Sequence, residues 1–284
     1  MSIEEEFMER VNEYYRLGAI QNHLGWDQQT IMPTKGAESR ADILSWLAKE
    51  GHNRLTDPKL SSLISQLEAK FDDLDTDLAC NVVRMRREVD QATLMPTELV
   101  EEMTRLSSEA RTIWAQSREQ SDFSKFAPTL EKIIQLTKKK MKYLGGENPS
   151  YDVLLDEYEM GMKMSDYDPL FSGLRERLVP LLQKIMAARE NETKIKIPEG
   201  MEFPIPEQEK FCKEVAARMG FDFDGGRLDI TTHPFCSGIW AGDTRITTRY
   251  DSLDPFSCLY AVMHEAGHGL YEQGLPTSSQ FAPR

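Results

Sequence analysis

Residues 254–274 read DPFSCLYAVMHEAGHGLYEQG, and this stretch decides what the rest of the chain is built around. Inside it, His264-Glu265-Ala266-Gly267-His268 places two histidines four residues apart. On a helix, four steps of about 100° leave them on one face, one turn above each other. Two imidazoles so placed reach one metal ion without bending the backbone. Glu265 then stands beside that ion, where it can hold a water as general base. Asp254 is a good N-cap and Pro255 suits the first helical position. Gly274 fits the position after the last turn, with Pro276 following. Leu259, Val262, Met263, Ala266 and Leu270 recur at helical spacing and form the expected buried side. Gly267 and Gly269 each cost about 1 kcal/mol against alanine inside a helix. A close approach of another backbone, or of substrate, is therefore expected there.

The chain around this stretch is long enough, at 284 residues, to bury a core without staples. Its composition, 40% hydrophobic and 29% charged, reads as soluble and globular. The sequence holds no apolar run of the length that spans a bilayer, and Met1 to Arg10 is acidic, without a signal-peptide core. A cytoplasmic setting is the expectation. The net charge of −13 argues against nucleic acid and against anionic membrane as partners. Lys138-Lys139-Lys140 reads as a solvated helix face. Cys80, Cys212, Cys236 and Cys258 lack zinc-finger or redox spacing and read as free buried thiols. Cys236 and Cys258 lie near the histidines in sequence, so a thiolate ligand is the lesser alternative.

Upstream, helical periodicity dominates. Expected helices cover about 3–23, 36–50, 58–71, 76–94, 97–120, 126–144, 166–188 and 207–220. Asp75 and Thr97 read as caps, Gly145-Gly146 and Gly220 as terminators, Pro180 as a kink, and Trp26 and Trp46 as core aromatics. Thr193 to Pro206, with three prolines, reads as a loop and a subdomain junction. From Phe221 to Tyr250 the pattern turns to strands: Asp224-Gly225-Gly226 is a tight turn, and Ile239-Trp240 and Asp243–Tyr250 are short strands. An edge strand just before a metal helix could pair with an extended peptide. The fold class is mainly α: a large helical domain with a small β-sheet just before the His-Glu-x-x-His helix. Residues 1–192 form the helical part and 193–284 the sheet and metal helix of one catalytic domain.

Other motifs accompany the histidines. His233-Pro234-Phe235 and Asp243-Thr244-Arg245-Ile246-Thr247 precede them in order. Leu24-Gly25-Trp26-Asp27, Met32-Pro33 and Gly36–Ala41 open the chain, and Tyr151-Asp152 and Gly161-Met162 lie midway. Together these resemble the thermostable Taq-type metallocarboxypeptidases. The resemblance implies a helical, cleft-shaped catalytic domain, often a homodimer, that removes C-terminal amino acids from peptide substrates with broad specificity. It implies one divalent ion per chain, zinc or cobalt, with His264 and His268 as ligands. Glu265 would take a proton from activated water and return one to the leaving amine. His233, Asp243, Arg245 and Thr247 would support the site or bind substrate. Arg245 either pairs with Asp243 and braces the strand, the preferred reading, or faces substrate.

One feature departs from the family. A catalytic zinc takes three protein ligands, and the family's third is a Glu well beyond the histidines. Here the only carboxylate after His268 is Glu272, one turn along the same helix, where it suits a closed cage poorly. The chain is thus expected to be the N-terminal part of such an enzyme, a fragment or a shortened product. An endopeptidase or aminopeptidase on the same helix, or a non-catalytic helical peptide-binding or interaction protein, are the alternatives.

Overall fold

The computed structural model describes residues 1–189 and 200–275. The chain groups into two compact units, one of residues 1–136 with 202–284 and one of residues 137–201.

The first unit begins with α1 (Ile3–Thr30), capped by a box in which Ser2 and Glu5 bond each other's backbone N–H. Then come α2 (Ala37–Leu55), α3 (Pro58–Glu68), α4 (Thr76–Leu94), α5 (Thr97–Glu119) and α6 (Phe123–Gly145), whose last turns belong to the second unit. Phe7, Val11, Leu60, Leu63, Ile64, Leu67, Val82 and Met85 are almost fully buried and weld α1, α3 and α4 into one core. Each such side chain contributes about 1.5–3 kcal/mol on burial.

α1 runs seven residues beyond its expected end at His23, through Leu24–Thr30. This segment is mostly polar on its outer side, so it offers no unbroken apolar periodicity. Its helix is held from outside instead. Arg40 on α2 bonds the Leu24 carbonyl and pairs with Asp27 at 2.6 Å, and Gln28 bonds Ser108 on α5. Trp26 is buried, but Trp46 is 57% exposed, against the core role expected of it. Asp75 caps α4 through Leu78 N. Thr97 does not cap α5; Pro96 holds that place, and the Thr97 hydroxyl is drawn to His52 Nδ1 at 3.1 Å.

Residues 193–199 of the expected loop lie outside the described residues. Beyond them, α9 (Ile205–Met219) ends at Gly220, whose φ of +105° is left-handed and disfavours a side chain. Three strands follow: β1 (Gly226–Ile230), β2 (Cys236–Trp240) and β3 (Asp243–Thr248). β3 is central, parallel to β1 and antiparallel to β2. β1 was not expected as a strand; the glycine read as a turn is its first residue. Gly226 is there for lack of space. A Cβ would lie 2.5 Å from Phe221 Cζ and 2.5 Å from the Thr244 carbonyl oxygen. Gly226→Ala is expected to cost about 3 kcal/mol through overpacking against backbone. Denaturant unfolding checks this, and a loss below about 0.5 kcal/mol, the level of a surface change, would refute it. The sheet's edges are β1 and β2. α1 already lies alongside β2, with Asn22 Nδ2 donating to the Gly238 carbonyl at 3.5 Å.

The last described helix, α10 (Pro255–Gly274), packs on α9 and β3. Cys212, Ala216, Phe221, Leu228, Ile246, Cys258, Val262 and Ala266 form this second core. Among the thiols, Cys212 and Cys258 are buried with sulfurs 3.6 Å apart, whereas Cys80 is exposed, contrary to expectation.

The second unit holds the end of α6, the short α7 (Asp152–Leu155) and α8 (Met164–Arg189). The α6 terminus is Gly146, with φ +79°. Asp152 and Asp156 tie the turn after α7 by accepting from Met164 N and Gly161 N. Lys140, in the basic run, pairs with Glu157. α8 continues through Pro180. No helix of the described residues is long and apolar enough to cross a membrane.

Candidate metal centre and active-site cleft

The helix that carries the histidines is anchored at both ends. Asp254 Oδ1 accepts from Phe256 N and Ser257 N, both at 3.2 Å, and Pro255 occupies the first position, as expected. At the other end Gln273 bonds the Asp222 backbone twice, at 2.7 and 2.9 Å. The expected glycine terminator is not used: Gly274 is still helical and the cap is Leu275, in an extended conformation. Pro276 lies outside the described residues. The buried face runs through Cys258, Val262, Glu265, Ala266 and Gly269, one notch round from the expected stripe, leaving Met263 41% exposed. Of the two helical glycines, Gly269 makes the close approach. A Cβ there would meet the Phe221 ring at 2.6 Å, while Gly267 faces open space.

His264 and His268 sit on the exposed face with their Nε2 atoms 3.3 Å apart. Two nitrogens each about 2.0–2.1 Å from one ion, at a tetrahedral angle, are separated by about 3.3–3.4 Å. The pair therefore fits a shared divalent ion. Among the described residues no third His, Cys, Asp or Glu joins them into a group able to hold a metal. Glu272, the carboxylate one turn on, lies instead against Gly238, where any Cβ would collide with it.

Glu265 points inward and is only 6% exposed. Burial raises its pKa above the usual carboxylate value, while His264, His268 and His233 pull it down. A carboxylate held this way is a stronger base than an exposed one. Burial, with Glu272 and Glu265 adding to it, also pushes the Cys236 thiol up to about 12. In the metal-free protein it is thus a protonated thiol at neutral pH.

The two upstream motifs meet at β3. Buried Thr247 holds the loop before β2 from both sides: its hydroxyl donates to the Phe235 carbonyl at 2.9 Å and accepts from Phe235 N at 2.8 Å. That fixes the exit of His233-Pro234-Phe235. Arg118 fixes its entry, donating to the Thr232 carbonyl at 2.8 Å. His233 itself is exposed, edge-on to Trp114 with centroids 6.4 Å apart. Asp243 and Arg245 form a bidentate pair at 2.7 and 2.8 Å, which holds the Asp243 carboxyl below its usual range. The Arg245 guanidinium lies 4.1 Å from the Trp26 ring centre, and Arg227, level with it on β1, lies at 5.0 Å. Trp26 is thus a platform for the sheet's arginines as well as a core residue.

A model of the family described as carboxypeptidase Taq (M32) metallopeptidase matches residues 6–283. The chain belongs to this family. The thermostable carboxypeptidase 1 of Thermus thermophilus is 36% identical, covering 98% of this chain and 56% of that protein. Carboxypeptidase 1 of Bacillus subtilis is 34% identical over 95% of this chain and 53% of its own length. The solved M32 carboxypeptidase from Deinococcus radiodurans R1 superposes with a TM-score of 0.82 at 33% identity, over all of this chain and 56% of the other. The mainly helical M32 fold with its small sheet is therefore the fold of this chain. The chain spans about half the length of the relatives it matches.

The hollows lined by α1, α5 and the stretch that carries His233 were not legible in the sequence. One hollow of about 420 Å³ is lined by Gln21, Trp26, Gln29, Ser107, Arg111 and Cys236, among others. A second, of about 640 Å³, shares Gln29 and Arg111 and adds Trp114 and His233. Only one signal in the sequence could have found them. Thr104, Ser107, Ser108, Arg111 and Ala115 recur at helical spacing as a small, polar stripe on α5, where a buried face would be apolar.

Proposed function

We propose that this chain carries the metal helix and part of the substrate cleft of a metal-dependent carboxypeptidase, acting on the C-termini of peptides with broad specificity. The observation that carries the reading is the His264–His268 pair at 3.3 Å with buried Glu265 between them in sequence. His264 and His268 would hold a divalent ion, zinc or cobalt. Such an ion supplies Lewis acidity, polarising a carbonyl and acidifying water. Glu265 takes the proton of the attacking water and delivers one to the departing amine. Thr247 and Arg118 set the loop that presents His233, and the Asp243–Arg245 pair stiffens β3 behind it. Four free cysteines support a cytoplasmic setting, and the expected assembly is a homodimer, which sedimentation measures.

The test uses an N-blocked dipeptide with added zinc. Release of the C-terminal amino acid from the free acid, and none from its C-terminal amide, is the expected result. Equal cleavage of both would point to an endopeptidase. Binding of both peptides without turnover would favour the non-catalytic peptide-binding reading.

A further inference from the structure

The loop that carries His233 is fastened along its length. Thr231 N donates to the Thr248 carbonyl at 2.9 Å, and the Thr231 hydroxyl donates to the Gln29 carbonyl of α1 at 3.0 Å. Thr247 clamps Phe235 from β3. The remaining handhold comes from α5. Arg118 donates through Nη1 to the Thr232 carbonyl at 2.8 Å. The same guanidinium lies 5.4 Å from the centre of the Trp114 ring, one turn back on α5. Trp114 in turn meets the His233 ring edge to face, with the ring planes at 85° and the centres 6.4 Å apart. Arg118 therefore reaches His233 by two routes, through the backbone of its neighbour Thr232 and through Trp114. All four residues line the same hollow of about 640 Å³.

His233 is exposed, so without a wall its ring would turn freely among rotamers. Trp114 supplies the wall, and Arg118 keeps wall and loop in one register. Arg118 is itself exposed, and a hydrogen bond and a cation–π contact at such a place add little to the stability of the fold. Their effect is to order one ring. That ring sits where its charge matters: His233 joins His264 and His268 in offsetting the rise that burial imposes on the Glu265 carboxyl. Trp114 and Arg118 lie outside the motifs that carry the family resemblance.

We infer that Trp114 and Arg118 are positioning residues for the reaction, fixing the His233 ring at the edge of the hollow within electrostatic reach of Glu265. This deepens the carboxypeptidase reading. Its kinetic consequence rests on that reading, whereas its geometric content rests on α5 and the loop alone.

The experiment has two arms on the full chain with added zinc. The first records the ring carbon–proton NMR signals of the five histidines. The His233 signal is the one that disappears in His233→Gln. Arg118→Met and Trp114→Leu are each expected to move that signal to the position of a free, exposed histidine. Arg118→Lys should hold it part-way, because an ammonium group can still donate to the Thr232 carbonyl and approach the Trp114 ring. The second arm measures release of the C-terminal amino acid from an N-blocked dipeptide. Misplacing a positioned group costs about 10- to 100-fold in kcat. Arg118→Met and Trp114→Leu should show that loss with KM within about twofold of the parent, and Arg118→Lys should recover part of it. A His233 signal unmoved in both Arg118→Met and Trp114→Leu overturns the inference. So does a parental kcat in variants whose signal has moved. Absence of turnover in the parent chain as well would sink the catalytic reading, and the first arm would then decide the positioning role by itself. Unchanged thermal unfolding of each variant checks its fold.

Discussion

Glu265→Gln is expected to reduce peptidase turnover by about 10²- to 10⁴-fold, the usual contribution of a positioned general base. The substitution keeps the size and most of the polarity of the side chain but removes its ability to take a proton. The site around it should survive. Glu265 is packed at 6% exposure beside Ala266 of the second core, and glutamine fills the same volume. Its neighbours His264 and His268 stay on the exposed face, so metal uptake should match that of the parent. The check is kcat on an N-blocked dipeptide together with elemental analysis of the same sample. Turnover within threefold of the parent would remove Glu265 from the chemistry. Turnover lost together with the metal would make it a structural support of the site.

The second large effect is on the metal itself. His264→Ala is expected to weaken divalent-ion binding by more than the 10- to 100-fold that loss of a mere supporting partner costs a metal site. The reason is geometric. Two nitrogens 3.3 Å apart already satisfy the bite of one ion, and the described residues offer no third donor to stand in for a lost one. His264 is exposed, so its truncation should shift unfolding free energy by no more than about 0.5 kcal/mol. Loss of metal would therefore not be loss of fold. Titration of zinc into both proteins measures the difference. Equal affinity would mean that the ion is held elsewhere. Absence of binding in both would mean that two histidines do not suffice and would sink the metal-centre reading for this chain.

Several features of the site were legible because they depend only on helix geometry and local chemistry. The spacing of His264 and His268, the cap at Asp254 and the proline at 255 all act within one or two turns, where sequence distance is spatial distance. The same locality explains why α4 matches its expected bounds and why Gly146 and Gly220 end their helices. Other residues misled for the opposite reason. Met263 fits an apolar stripe as well as its neighbours do, but the face that is buried depends on where β3 and Phe221 lie. Thr97 has the chemistry of a cap, yet His52, forty-five residues away in sequence, draws its hydroxyl. Trp46 is as apolar as Trp26, and only packing exposes one and buries the other.

The sequence by itself determined that this chain is mainly helical, that a pair of histidines and a glutamate share one helix, and which motifs accompany them. Those properties follow from short-range periodicity and capping. The tertiary structure alone decided that β3 runs through the middle of the sheet, that Thr247 clamps the loop of His233, and that Trp26 lies under Arg245. It alone brought α1, α5 and the loop before β2 together around one hollow. These juxtapositions join residues up to about two hundred positions apart, as in the bond from Thr231 to the Gln29 carbonyl. Contacts over that range are fixed by how packed faces meet, and no local pattern in the chain encodes them.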